Sequence, residues 1–161
     1  MSESIQNALA YANRYGLQLA ERLGFGIHGI IYVAENKSAG GKTAIKAHRE
    51  AEPYARESAV YRRLQELSVI EILGFNVPQL IRTDDEFRVI EMTIVTRPFA
   101  LDFAGAYLGT LPEFSREVWA EWEAARREQF ELAWPRVRAV LDALEVLGIY
   151  MVDVSPSNIS Y

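Results

Sequence analysis

Asp153 and Asn158 stand five residues apart around Pro156 in MVDVSPSNISY, residues 151 to 161. That spacing suits a loop that carries an acid and an amide to one reaction centre, with the carboxylate placed to accept a proton. Three further features far upstream could serve the same centre. LGFGIHGIIYVA, residues 23 to 34, sets Gly24, Gly26 and Gly29 ahead of a β-rich run; glycines there let backbone amides approach anionic oxygens that a Cβ would hold off. In TAIKAH, residues 43 to 48, strand alternation puts Ala44, Lys46 and His48 on one face, so a small methyl and a long cation share a side. Glu57 falls on a helix face with Tyr54, Tyr61 and Leu64, where a carboxylate is costly without a partner. Pairing with Lys46 relieves both, with Glu50 and Glu52 as competitors for that lysine.

The elements that must position these residues can be read from periodicity. Ile5, Leu9, Ala12, Gly16 and Leu19 recur at helical spacing and predict an amphipathic helix over 4–21, an N-terminal unit ending near residue 22. Residues 23–48 predict strand, tight Gly turn, strand, hairpin loop (NKSAGGK) and strand. Pro53 suits the first turn of a helix running to about residue 68. VPQLIR and FRVIEMTIV predict two more strands around TDDE, so the sheet-bearing unit spans 23–95. From 96 to 161 the pattern is helical: Thr110 with Glu113 gives a capping-box signal, and a long helix follows with Trp119, Trp122 and Phe130 as a packing stripe. Pro135 opens a last helix whose buried face is Val137, Val140, Leu141, Leu144 and Leu147, ending at Gly148.

Composition excludes several classes. Half of the 161 residues are hydrophobic, enough for one domain or two small lobes sharing a core. The net charge of −5, with 17 basic residues scattered among 22 acidic ones, argues against nucleic acid as a partner. No Cys and two isolated His argue against disulfides, thiolate chemistry and a His- or Cys-ligated metal. Glu3 and the lack of a long apolar run predict neither a signal peptide nor a membrane span, hence a cytoplasmic protein.

Two motif candidates are set aside. NKSAGGKT resembles the end of a P-loop, but it joins two strands, whereas the phosphate cradle must open a helix. LDFAG, residues 101 to 105, resembles a DFG triplet but precedes the Asp153 loop and carries Ala104 at its third position, so it is read as packing where the chain leaves the sheet.

In order, GxGxxG with its strand, AIK seventeen positions after Gly29, a helix bearing Glu57, and DVSPSN resemble the protein kinase-like family. That family includes eukaryotic-type protein kinases and small-molecule kinases of the aminoglycoside phosphotransferase type. The resemblance covers most of the chain, strongly at 23–64 and 140–159 and weakly between. It implies an α+β fold: an antiparallel five-stranded lobe with one helix, then a minimal, truncated helical lobe. It also implies ATP as ligand, with magnesium. By the resemblance, Leu23, Ile31 and Ala44 form an adenine roof, the hairpin of Gly24, Gly26 and Gly29 is a lid over ATP, and Lys46 holds the α- and β-phosphates and pairs with Glu57. Asp153 accepts a hydrogen bond from the attacking hydroxyl, and Asn158 ligates magnesium.

The departures matter. Met151 and Val152 replace the family's His and Arg, and Ser155 stands where protein kinases have Lys. The family's metal-chelating Asp should lie about a dozen residues beyond Asn158, past Tyr161. The initiator Met favours a natural chain end. The resulting expectation is an ATP-binding, degenerate protein with weak or no phosphotransferase activity and a weak magnesium dependence. The alternatives are an active small serine/threonine-type or small-molecule kinase, and an interaction module that keeps only the fold. The helix of Val137 to Leu147 needs a cover, either the helix of residues 113–134 or a second subunit; the expectation leans to self-association or a protein partner.

Overall fold

The computed structural model describes residues 1–26, 28–96 and 98–161. Helix α1 (Glu3–Arg14) leads into β1 (Leu17–Gly26), β2 (Gly29–Asn36) and β3 (Lys42–His48), followed by α2 (Ala51–Glu66). A small hairpin, β4 (Glu71–Ile72) and β5 (Phe75–Asn76), precedes β6 (Leu80–Asp84) and β7 (Val89–Met92). Beyond them come β8 (Ala100–Leu101), β9 (Ala106–Leu108), α3 (Arg116–Phe130), a 3-10 turn at Glu131–Ala133, α4 (Trp134–Val146), β10 (Ile149–Met151) and β11 (Ile159–Ser160). The fold is α+β, built on a five-stranded antiparallel sheet of order β1-β2-β3-β7-β6. Among the described residues no helix is long and apolar enough to cross a membrane.

Strand alternation sorts the sheet residues between two cores. Ile30, Ile45, Ala47 and Val89 face α1 and pack with Ala8, Tyr11, Ala12 and Leu17. Ala44, Ile90 and Met92 face the other way, into a cluster that runs through Tyr61 and Leu64 of α2 to Val140, Leu144 and Ile159. Each fully buried aliphatic side chain stabilises by about 1.5–3 kcal/mol relative to exposure, so this second cluster welds the sheet to the helical layer. The α1 face also buries the carboxylate of Glu91, which accepts from Tyr11 Oη at 2.6 Å and Thr43 Oγ1 at 2.9 Å. Burial and that carboxylate together raise the Tyr11 hydroxyl above its ordinary range.

Three sequence expectations need correction. The first helix stops at Arg14, seven residues short of 21, because Gly16 takes a left-handed φ of +66° and turns the chain into β1. Leu17 to Arg22 therefore belong to the sheet, on which α1 packs. Residues 98–115 are not helical: they hold β8 and β9, and the Thr110–Glu113 box does not start α3. Ser115 does, its Oγ accepting from the Val118 amide at 3.2 Å.

The cover for α4 comes from within the chain. Val137, Val140, Leu141 and Leu144 are buried, and Phe130 at the end of α3 is buried with Trp134. From α3, Trp122 Nε1 donates to Val152 O at 2.9 Å and Arg126 Nη1 to Val154 O at 2.6 Å, so the helix straps the loop that carries Asp153.

Gly29 owes its identity to the sheet. A Cβ built there would sit 2.1 Å from Ala47 O and 3.0 Å from His48 Cα, backbone atoms of the neighbouring strand that cannot move aside. Gly29→Ala should destabilise the fold by about 3 kcal/mol, the upper end of overpacking costs, measured by urea unfolding. Gly24→Ala should change little, since its Cβ would meet only Ile31 Cδ1 at 3.9 Å.

Candidate functional site

Lys46 is at the centre of β3, opposite Ile31 on β2 and Ile90 on β7. Its side chain is only 5% exposed, yet it is satisfied: Nζ lies 2.7 Å from Glu57 Oε1 on α2 and 3.6 Å from Asp102 Oδ1. The second Glu57 oxygen takes His48 Nε2 at 2.8 Å. Of the competing acids, Glu50 and Glu52 are both exposed. Burial alone would push Glu57 towards its neutral form, but the charge of Lys46 and the His48 hydrogen bond outweigh it and hold the carboxyl down, at about 2. For Lys46, burial opposes the charge, while Glu57 and then Asp102 more than restore it, so its pKa is raised.

A pH prediction follows from the Glu57 depression. Its folded value lies below the ordinary carboxylate value of 4.5, so the unfolded chain binds the proton more readily in that range. The stability it contributes is fully present above about pH 4.5 and lost as pH falls towards about 2. Denaturant midpoints measured down this range should fall less steeply for Glu57→Gln than for the wild type.

Asp102 is the residue that the linear order hid. Strand β8, which delivers it, pairs antiparallel with β11, which follows Asn158, in the register Leu101 to Ile159 and Ala100 to Ser160. The Asp102 amide donates to Asn158 O at 2.8 Å, and its Oδ1 accepts from Ala104 N at 3.0 Å. Phe103 is fully buried, edge-on to Tyr61 at 5.6 Å, and Leu101 is buried in the same core, so these two residues meet the packing expected of LDFAG while Asp102 faces Lys46. Gly105 adopts φ +73°, and a Cβ there would lie 3.2 Å from Asp153 Cβ. The DFAG segment and the Asp153 loop are thus in direct contact, although 51 positions separate the two aspartates in the sequence.

Asp153 is exposed at the lip of this arrangement, and Asn158 is buried beneath it. The Asn158 amide closes the loop: Nδ2 donates to Asp153 O, while Oδ1 accepts from Ser155 N at 2.7 Å and from Ser155 Oγ at 3.2 Å. Its oxygen, expected to face a metal, is occupied by Ser155.

Above Lys46 lies a cavity of about 460 Å³, lined on one side by Leu23, Ile31, Ala44 and Met92, and elsewhere by Thr93 to Val95, Tyr61, Asp102 and Ser157. Leu23, Ile31, Ala44 and Lys46 are thereby brought together. Gly24 pairs with Ile31, and Gly26 with Gly29, at the β1–β2 end beside them. Met92, the 93–95 segment and Asp102 went unrecognised in the sequence. For Asp102 the signal was there, the DFAG string itself. Among the described residues no group of three or more His, Cys, Asp or Glu could hold a metal by themselves. In comparisons with known proteins, no family model and no curated relative matches the chain.

Proposed function

We propose that the chain is an ATP-binding protein of the protein kinase-like class whose metal carboxylate, Asp102, comes from before the Asp153 loop. The observation that carries this reading is the position of Asp102, 3.6 Å from the buried Lys46 ammonium and bonded through its amide to Asn158 O. The cavity fits a nucleotide: its size and apolar walls suit a purine, and one buried cation waits at its inner end. Ala44 and Ile31 would pack against the base, Thr93 to Val95 would line its edge, and Lys46, braced by Glu57, would neutralise phosphate oxygens.

Asp102 also fits magnesium, which is held by one or two carboxylates together with substrate phosphates rather than by an all-protein cage. The ion, when bound, would supply positive charge against the charge that develops on the transferring phosphoryl group. Asp153 would orient the acceptor hydroxyl and take its proton as the new oxygen–phosphorus bond forms and the bond to the ADP leaving oxygen breaks. Asn158 keeps the loop in shape. A second reading, nucleotide binding without transfer, is favoured by one observation: both acceptor positions of Asn158 Oδ1 are taken by Ser155.

Lys46→Ala tests the site. ATP affinity should fall by about 10- to 100-fold, the worth of one buried charge-assisted contact, while Glu57 keeps His48 and the fold survives. Calorimetric titration showing equal affinity for wild type and variant would place ATP elsewhere or nowhere.

A further inference from the structure

His48 is fully buried two positions beyond Lys46 on the same strand face. Its Nε2 meets Glu57 Oε2 at 2.8 Å and its Nδ1 meets Arg88 O at 3.3 Å. The same carbonyl accepts the His48 backbone amide at 2.9 Å, so the ring is pinned to the turn between β6 and β7. Glu57 is therefore clamped to β3 at two points, one oxygen on Lys46 and the other on His48. Of the groups beside the ring, Tyr54 lies edge-on at 5.6 Å with its hydroxyl on Asp85, and Arg88 pairs with Glu3 through Nη2.

We propose that His48 is a positioning residue that fixes the Glu57 carboxylate, so that Lys46 can turn its charge to phosphate without α2 shifting. This rests on the nucleotide reading of the site. A carboxylate held by Lys46 alone would follow the ammonium when phosphate competes for it; the second anchor on the strand itself keeps Glu57 in place, and the imidazole never touches the ligand.

The test compares ATP with adenosine, which lacks phosphates, by calorimetry on wild type, His48→Leu and His48→Gln. His48→Leu should weaken ATP about tenfold, as the loss of a charge-assisted bond does, and leave adenosine unchanged. Gln can donate from its amide where Nε2 did, so His48→Gln should recover most of the ATP affinity. Nitrogen-15 spectra of the wild type should also show a hydrogen-bonded Nε2–H that disappears in Glu57→Ala, which has no side-chain acceptor, whether or not nucleotide is present. Equal losses for ATP and adenosine, no loss in His48→Leu, or no recovery in His48→Gln would each overturn the proposal. Wild-type protein that binds neither ligand would overturn the nucleotide reading itself, and this inference with it.

Discussion

Asp102→Asn should lower magnesium-dependent phosphoryl transfer by about 100- to 1,000-fold, the usual cost of removing one electrostatic group aimed at a reacting centre. Asparagine keeps the side-chain oxygen that accepts from Ala104 N, so β8 and its pairing with β11 should persist. What goes is the charge. Without magnesium, ATP should bind the variant at least as well as the wild type, because Asp102 no longer competes with phosphate for Lys46. With magnesium, the wild type should gain affinity and the variant should not. Measuring both constants with and without the ion separates a metal ligand from a packing residue; an unchanged magnesium response in Asp102→Asn would assign Asp102 to packing.

Asp153→Asn should reduce turnover by about a hundredfold or more while leaving ATP affinity nearly intact, since a general base acts on the acceptor hydroxyl and not on the nucleotide. The position favours a clean result. Asp153 is exposed, and it is the backbone oxygen, not the carboxylate, that receives the Asn158 amide, so the loop should keep its shape. Incorporation of γ-labelled phosphate into a hydroxyl acceptor by both proteins at equal rates would move the base elsewhere. No incorporation by either would favour the binding-only reading, to which the Ser155 contacts of Asn158 already point.

The sheet was legible because its signals are local. Gly24, Gly26 and Gly29 mark a turn, TAIKAH alternates, and Tyr54, Glu57, Tyr61 and Leu64 repeat at helical spacing; these residues do form β1 to β3 and the buried face of α2. The first helix was read too long because Gly16 and Leu19 continue the helical spacing of Ile5, Leu9 and Ala12, while Leu17 and Leu19 also alternate as a strand does. Only the left-handed Gly16 decides between them. The Thr110–Glu113 box misled for a similar reason: its residues are right for a cap, but Ser115 lies closer to the first helical turn and takes the bond.

Asp102 shows what linear order conceals. Its motif was visible, and it was set aside because the family places the metal acid after the catalytic loop. In the fold, order along the chain matters less than strand pairing: β8 lies beside β11, and this brings the residue after β8 to the residue before β11. Two-residue strands carry too little periodicity to be read from sequence, so no local pattern could announce that pairing. The strapping of the Asp153 loop by Trp122 and Arg126 was equally hidden, since both reach backbone carbonyls, which every residue offers.

The most direct test of the central claim is the unfolding free energy of the wild-type protein with ATP, in magnesium and in chelator. ATP at a hundred times its dissociation constant should stabilise the fold by about 2.7 kcal/mol, with a lower dissociation constant in magnesium than in chelator. A stability that does not respond to millimolar ATP in either condition would contradict a nucleotide site above Lys46.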